Sequence, residues 1–143
     1  MCIRDRINVS MPYYVREKVR RTLNEHGRSL KGSKILIVGI AYKRDIEDWR
    51  ESPALKVMDL LEEDQADVDY HDPFVPSFQD EHGRLRHSVP LTDAALQRAD
   101  CAVIVTDHTD TDWEFVVRHA NAVVDTRNAT AAVKGSRDNV VLL

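Results

Sequence analysis

Residues 33–55, "SKILIVGIAYKRDIEDWRESPAL", combine three features that indicate an α/β fold. The stretch begins with a continuous apolar run, residues 35–40, which is typical of a parallel β-strand that is covered on both faces. The run gives way to a segment in which nearly every second residue is charged. A new apolar pattern then starts at Ser52-Pro53, a pair that predicts the N-cap and the first position of a helix. A buried strand, a charged loop and a helix form the first unit of an α/β fold.

The rest of the chain continues this alternation of strands and helices. Pro12 and the helical spacing of the apolar residues after it predict a helix that ends near Gly27. Residues 74–90 are expected to be a long loop with a short strand at its end. Further strands are predicted in "ADVDYHDPF", "CAVIVT", "NAVVDTRN" and "DNVVLL", and short helices in "TDAALQRA" and "DTDWEFVVRHA". This order predicts a Rossmann-like, doubly wound parallel α/β sheet in three layers, preceded by an N-terminal helix.

The composition excludes several classes of protein. With 143 residues, 43% of them hydrophobic and 31% charged, the chain suits one globular domain. Its formal net charge of -4 gives no overall attraction to nucleic acid or to an anionic membrane, so an anion-binding site has to be local. No apolar stretch is long enough to span a bilayer. The two cysteines, Cys2 and Cys101, provide no disulfide framework, which favours a cytoplasmic protein.

The first six residues, "MCIRDR", show no periodicity and resemble the translated remnant of an adaptor at the end of a gene fragment. We therefore expect residues 1–6 to be a non-native leader and Cys2 to be a non-native residue. Residues 7–30 are then the end of a linking helix, and residues 31–143 form the functional domain.

Ligands of an open parallel sheet bind beyond the carboxyl ends of the strands, where the strand order reverses. The residues that follow the predicted strands are Tyr42 and Lys43, Asp107 and His108, and Arg127 and Asn128. Lys43 and Arg127 place two cations at one edge of an acidic protein, and their donors suit a phosphate or diphosphate. Tyr42 adds a ring and a hydroxyl for a base or a sugar. The alternative is that these residues are ordinary solvated strand ends.

Other polar residues have simpler interpretations. The pairs His71-Asp72 and Asp107-His108 lack the spacing of metal ligands, so we expect no metal site. His108 is expected to cap a helix or to have no role. Cys101 opens a buried strand and is expected to be an inert core thiol rather than a nucleophile.

The first predicted strand ends in one glycine, Gly39, and not in the pattern G-x-G-x-x-G. Without these glycines the backbone cannot approach a pyrophosphate in the usual dinucleotide manner. The sequence therefore predicts a Rossmann-like domain that binds a ligand other than NAD, or that contacts NAD only from outside.

Four blocks carry a resemblance to a known family. In order they are "KGSKILIVGIAYKRDIEDWRESPALKVMDLL", "VDYHDPFVP", "CAVIVTDH" and "VVDTRN". Together they closely resemble the C-terminal domain of the UDP-glucose/GDP-mannose dehydrogenase family, from about Ile7 to the last strand. Within the family, "YHDPFVP" and "TDHTDTDW" look most like bacterial UDP-N-acetylglucosamine or UDP-N-acetylmannosamine 6-dehydrogenases of surface-polysaccharide synthesis. On this resemblance, residues 31–143 are the nucleotide-sugar (UDP) binding domain.

The resemblance implies a reaction and roles for particular residues. Family members use NAD to oxidise the C6 alcohol of a nucleotide sugar to a carboxylate, through covalent intermediates on a cysteine in a G-G-S-C-F-type motif. By resemblance, Tyr42, Lys43 and Arg127 contact the UDP-sugar. Arg50 reaches the NAD that another domain holds. The resemblance also implies a homo-oligomer when the enzyme is full length.

The sequence lacks two features that members of this family contain, the motif of the catalytic cysteine and the NAD domain. There is no G-G-S-C-F-type block, neither cysteine has that context, and no part resembles the NAD domain. We therefore expect the chain alone to be inactive, a fragment whose partners are a UDP-sugar and the rest of the dehydrogenase. A stand-alone nucleotide-binding module and an oligomerisation domain stay open as alternatives. A signalling receiver domain is disfavoured, because "AYK" stands where it would need an acidic pair.

Overall fold

The computed structural model describes residues 3–41, 52–80, 82–109, 111–135 and 138–142. The elements are α1 (Ile3–Glu25), β1 (Lys34–Val38), α2 (Pro53–Glu63), β2 (Asp67–His71), β3 (Ser77–Gln79), β4 (Leu85–His87), α3 (Asp93–Arg98), β5 (Cys101–Ile104), α4 (Trp113–His119), β6 (Val123–Asp125) and β7 (Val140–Leu142). Among the described strands, five form a parallel sheet in the order β2-β1-β5-β6-β7. The predicted Rossmann-like α/β fold, preceded by an N-terminal helix, is confirmed.

The sheet lies between two layers of helices, as predicted. Along β1, Ile35 and Ile37 pack on the side of α1 and α2, whereas Leu36 and Val38 pack on the side of α3 and α4. All four side chains are at most 3% exposed. Burying a side chain of this size stabilises a fold by about 1.5–3 kcal/mol. Because both faces of β1 are covered, neither face needs polar residues, which explains the continuous apolar run in the sequence.

Local signals in the sequence correctly predict the start of α2 and the end of α1. Ser52 is the N-cap of α2, where its side chain accepts a hydrogen bond from the backbone N–H of Ala54, and Pro53 follows as the first helical residue. Thr92 caps α3 in the same manner. Gly27 follows the end of α1 in the left-handed conformation, with a φ of 74°.

Helix α1 begins earlier than the sequence predicts. It starts at Ile3, and Pro12 lies inside it rather than in its first turn. Proline has no N–H to donate to the preceding turn, yet the helix continues on both sides of it. Val15 and Val19 are fully buried and pack α1 into the core. Although α1 has 23 residues, no helix in the described ranges is long and apolar enough to cross a membrane. The domain boundaries and the non-native leader stay predictions.

Residues 74–90 contain more regular structure than the long loop that the sequence predicts. β3 and β4 pair as an antiparallel hairpin. Arg86 forms ion pairs with Asp80 inside the hairpin and with Glu62 at the end of α2. Glu62 and Arg86 are 24 positions apart, so the local sequence pattern does not reveal the contact that fastens this hairpin.

The strand order places a topological switch point between β1 and β5. From β1 the chain moves outward to β2 on one side, and it later returns to β5 on the other side. Connections that leave in opposite directions open a crevice at the carboxyl ends of the two strands, where open α/β sheets bind ligands. The residues that follow β1, β2, β5 and β6 therefore line the candidate site.

Candidate functional site

Of the four site residues predicted from the sequence, Tyr42, Lys43 and Arg50 lie outside the described residues. Arg127 is described, and it lies at the carboxyl edge shortly after β6, as predicted. Its side chain is 52% exposed, and its Nε lies 3.6 Å from Oδ1 of Asp107, which follows β5. The structure thus brings together two residues that the sequence places after different strands.

Asp125, the last residue of β6, shapes the loop that carries Arg127. Its buried carboxylate accepts hydrogen bonds of 2.9–3.1 Å from the backbone N–H groups of Arg127, Ala129 and Thr130. The hydroxyl of Thr130 donates to the same carboxylate at 2.7 Å. Asn128 adopts a left-handed φ of 56° within the loop, a conformation that asparagine tolerates better than most residues. The turn therefore fixes where Arg127 leaves the sheet.

A second buried carboxylate, Asp72, lies directly after β2 and has no exposed surface. Its Oδ2 accepts hydrogen bonds from the backbone N–H groups of Ile40 and Ala41, both at 2.8 Å. Its Oδ1 accepts the N–H of Phe74 at 2.8 Å. Nε2 of His108, after β5, lies 2.9 Å from Oδ2. Asp72 therefore joins the chain beyond three strands, β1, β2 and β5.

Two opposing effects set the pKa of Asp72. Burial raises the pKa, because a charged carboxylate loses its hydration. Hydrogen bonds from His108 and from the backbone N–H groups of Ala41, Ile40 and Phe74 favour the charged form and outweigh burial. The pKa of Asp72 consequently lies below its ordinary value of 3.8, so the group is a carboxylate at neutral pH.

His108 contradicts the expectation that it caps a helix or has no role. Its side chain is 2% exposed, and Nε2 bonds to the carboxylate of Asp72. The ring of Phe74 packs against its imidazole, with 4.7 Å between the ring centroids. A polar group at this depth needs a partner, and Asp72 supplies one. The expectation failed because the two residues are 36 positions apart in the chain.

Ala41 precedes segment 42–51 and is held through both of its peptide groups. Its N–H donates to Asp72, while its carbonyl accepts the hydroxyl of Thr106 at 2.6 Å and that of Ser52 at 3.3 Å. Ser52 is the first residue after the same segment. The two residues that flank segment 42–51 are therefore within hydrogen-bond distance of each other at the switch point.

Gly39 lets the end of β1 approach the chain that follows β5. Its φ is 92°, and a Cβ at this position would lie 2.4 Å from the carbonyl oxygen of Thr106. No side chain fits at that distance, so the glycine serves the packing of two neighbouring segments. Atoms of Thr106 occupy the space into which a side chain at position 39 would extend. The sequence after β1 has no G-x-G-x-x-G pattern, by which the backbone of a dinucleotide-binding domain approaches a pyrophosphate.

Cys101 is a core residue, as the sequence predicts. It is fully buried, and burial raises the pKa of its thiol to about 12. The reactive thiolate is therefore scarcely populated at neutral pH. In the part of the chain that the structure describes, no three His, Cys, Asp or Glu side chains group together as a metal site requires.

A comparison with protein families identifies the class to which this edge belongs. Residues 36–132 match the UDP binding domain of the UDP-glucose/GDP-mannose dehydrogenase family. The match spans more than half of the chain and includes both the switch point and the loop of Arg127. The chain therefore belongs to the UDP-glucose/GDP-mannose dehydrogenase family, and the resemblance drawn from the sequence is confirmed.

Individual relatives agree with this assignment. UDP-N-acetyl-D-mannosamine dehydrogenase of Methanococcus vannielii is 35% identical over 104 residues, which cover 73% of this chain and 22% of that protein. NDP-N-acetyl-D-galactosaminuronic acid dehydrogenase of Ralstonia nicotianae is 29% identical over 137 residues, covering 88% of this chain and 29% of that protein. The structure of a UDP-D-ManNAc dehydrogenase from Pyrococcus horikoshii superimposes with a TM-score of 0.74 at 25% identity, covering 96% of this chain and 31% of that chain. The chain thus spans less than a third of each of these relatives.

Several residues that organise the edge are not predicted from the sequence. Asp72 precedes a proline, a pair that predicts only a turn, and the sequence gives no prediction for Thr106 or Asp125. A signal does exist for Asp125, because an aspartate at a strand end followed closely by small polar residues is typical of a side-chain-stabilised turn. Thr106 has no such local signal, since the carbonyl it binds lies 65 positions away.

Proposed function

We propose that this chain is the substrate-binding part of an NAD-dependent nucleotide-sugar 6-dehydrogenase of surface-polysaccharide synthesis, and that its carboxyl edge holds a UDP-sugar. The match of residues 36–132 to a UDP binding domain carries the proposal. Open α/β sheets bind ligands at the switch point, and this match includes it. The names of similar relatives refer to N-acetylated sugars, which supports UDP-N-acetyl-hexosamine as the substrate.

The proposed substrate contacts are Tyr42, Lys43 and Arg127. Arg127 has a half-exposed guanidinium at the edge, and charge-assisted hydrogen bonds from such a group suit a diphosphate. Asp107 pairs with its Nε and so restrains the side chain. Tyr42 and Lys43 directly follow Ala41, whose peptide groups are fixed at the switch point.

NAD is the proposed hydride acceptor, bound mainly by a domain outside this chain, with Arg50 reaching it from this side. The chain has no G-x-G-x-x-G pattern and no G-G-S-C-F-type block. We therefore expect the 143-residue chain alone to form no NADH from a UDP-sugar and NAD⁺. The full-length enzyme is proposed to be a homo-oligomer.

Calorimetric titration with UDP tests the proposed contacts. Arg127→Ala and Lys43→Ala are each expected to weaken UDP affinity by roughly tenfold or more, because each removes a charged donor to phosphate. Arg118→Ala is the matched control, since Arg118 is an exposed arginine in the last turn of α4, at the opposite edge of the sheet. Unchanged affinity in Arg127→Ala removes that residue from the site. A chain that does not bind UDP at all contradicts the proposed function and favours the alternative of an oligomerisation module.

A further inference from the structure

We infer that Asp107 is a positioning residue for Arg127: it holds the Nε side of the guanidinium, so that the two terminal nitrogens bind one phosphate of UDP together. The inference rests on the proposed function, because it concerns how Arg127 contacts UDP at the carboxyl edge. It names a phosphate as the part of the substrate that this pair recognises, and it assigns Asp107 an effect on affinity that acts through Arg127.

Arg127 is restrained at its guanidinium as well as at its backbone. Its backbone N–H donates to the carboxylate of Asp125 at 3.0 Å. At the other end of the residue, Nε lies 3.6 Å from Oδ1 of Asp107, and among the described side chains Asp107 alone forms an ion pair with this arginine. Asp125 ends β6 and Asp107 follows β5, and these two strands are neighbours in the sheet. Carboxylates from two adjacent strands therefore hold the two ends of Arg127.

The two partners of the ion pair differ in their access to solvent. The side chain of Asp107 is 11% exposed, whereas that of Arg127 is 52% exposed. Oδ1 of Asp107, the oxygen that faces Nε, is itself buried. A buried charge is screened by salt much less than a charge at the open surface. Asp107 is therefore a fixed anchor, and the exposed part of Arg127 is the part that a ligand can reach.

The shape of the guanidinium links this anchor to the chemistry of the ligand. The group is planar and has five N–H donors in a fixed arrangement, so that its two terminal nitrogens can donate side by side to two oxygens of one phosphate. Asp107 lies on the Nε side, which is a different edge of the same plane. A side chain that has to be ordered on binding lowers the affinity by the cost of fixing its rotamers, and an ion pair formed beforehand reduces that cost.

The negative charge of Asp107 has an opposing effect, because it repels a phosphate. The guanidinium lies between the two anions in this arrangement, and salt screens exposed charges over about 8 Å. We therefore expect positioning to outweigh repulsion. The sign of the change in affinity when the charge of Asp107 is removed decides between the two effects.

The ion pair between Arg28 and Asp100 provides a matched control. Nε of Arg28 lies 3.3 Å from Oδ1 of Asp100, and the two side chains are 61% and 18% exposed. Asp100 directly precedes β5, so this pair lies at the amino end of the strand that Asp107 follows. Asparagine at either position removes the charge and keeps the shape of the side chain. The two variants thus lose the same kind of ion pair at opposite edges of the sheet.

The experiment measures the UDP affinity of the 143-residue chain by NMR titration, which follows weak binding. Asp107→Asn is expected to weaken UDP affinity by roughly three- to fivefold, the effect of leaving one arginine side chain to be ordered on binding. Asp100→Asn is expected to leave the affinity unchanged. In the Arg127→Ala background, Asp107→Asn is expected to change the affinity by less than about twofold, because the side chain through which it acts is gone.

Arg127→Lys tests the two-nitrogen contact separately. Lysine keeps the positive charge but cannot offer two fixed parallel donors to a phosphate. The variant is expected to weaken UDP affinity by roughly fivefold or more. Wild-type affinity in Arg127→Lys would show that the charge alone is used, and it would overturn the orientation that we assign to Asp107.

Two further results would overturn the positioning role while leaving the proposed function intact. One is an unchanged or higher UDP affinity in Asp107→Asn. The other is an equal loss from Asp107→Asn with and without Arg127, since Asp107 would then act through another group. A wild-type chain that does not bind UDP, or that binds it equally well after Arg127→Ala and Lys43→Ala, overturns the proposed function as well. The variants that change the affinity thus distinguish the two failures.

Discussion

Asp72 and Asp125 are the same residue type at the same edge of the sheet, yet they organise that edge differently. Both carboxylates are buried and accept several hydrogen bonds. The partners of Asp125 all lie within five residues of it along the chain. Asp72 also bonds to groups that are 31–36 positions away.

The difference separates two tasks within one site. Asp125 shapes a single turn and so sets the place from which Arg127 leaves the sheet. Asp72 forms hydrogen bonds with the segments that follow β1, β2 and β5, and so stabilises the packing of these segments at the switch point. Loss of the local network should mainly affect ligand binding, whereas loss of the long-range network should affect the stability of the whole fold.

The largest effect is expected from Asp72→Ala. This change leaves a buried histidine and three backbone N–H groups without their acceptor, and breaking such a buried network typically costs about 3–5 kcal/mol. Urea unfolding followed by circular dichroism measures the loss. A loss no greater than that of Asp125→Ala contradicts the distinction between the two carboxylates.

Gly39→Ala is expected to have the next largest effect. The new Cβ would lie 2.4 Å from the carbonyl oxygen of Thr106, and the alanine would have to adopt a left-handed φ. Together these two effects are expected to lower the free energy of unfolding by about 3 kcal/mol. Gly27→Ala is the matched control, because Gly27 has a φ of +74° but no atom within 4 Å of the added Cβ. Urea unfolding of both variants separates the clash from the backbone strain. Equal losses would show that the contact with Thr106 relaxes without cost.

Asp125→Ala is expected to destabilise the chain by about 2–3 kcal/mol, less than Asp72→Ala, because water can reach the N–H of the exposed Arg127 while the buried N–H and hydroxyl of Thr130 lose their acceptor. UDP affinity is nevertheless expected to fall nearly as far as in Arg127→Ala, because the turn no longer directs that side chain. Paired unfolding and calorimetric measurements test this combination. Wild-type affinity in a folded Asp125→Ala variant would show that the turn does not position Arg127.

The smallest expected effect is a change in folding stability when the pH is lowered. Because the pKa of Asp72 is lower in the folded chain than its ordinary value of 3.8, its contribution to stability is present above that value and is lost as the pH falls through the folded-state pKa. Other carboxylates, including Asp80, shift in the same direction. The specific expectation is therefore that the difference in unfolding free energy between wild type and Asp72→Asn is smaller at about pH 3 than at about pH 5. A constant difference contradicts it.

The contrast between local and long-range contacts also explains which features of the fold and of the site could be predicted from the sequence. Ser52 and Thr92 are recognisable caps because the N–H groups they accept lie two and three residues away. Covered parallel strands appear as apolar runs, and the position of Arg127 at the edge follows from the strand before it. The role of His108 was not predicted, because its partner Asp72 lies 36 positions away and no local pattern encodes the contact. The β3–β4 hairpin was not predicted although its strands pair locally, because each strand has only three residues and the contact that fastens it to α2 spans 24 positions.

The most direct test of the account is a calorimetric titration of the unaltered 143-residue chain with UDP and, separately, with NAD⁺. We expect weak but measurable binding of UDP and no binding of NAD⁺, since Arg127 offers a cation for a diphosphate at the edge while the chain has no G-x-G-x-x-G pattern. Tight binding of NAD⁺ without binding of UDP would contradict the proposed function, because it would make this edge a dinucleotide site although the chain has no G-x-G-x-x-G pattern.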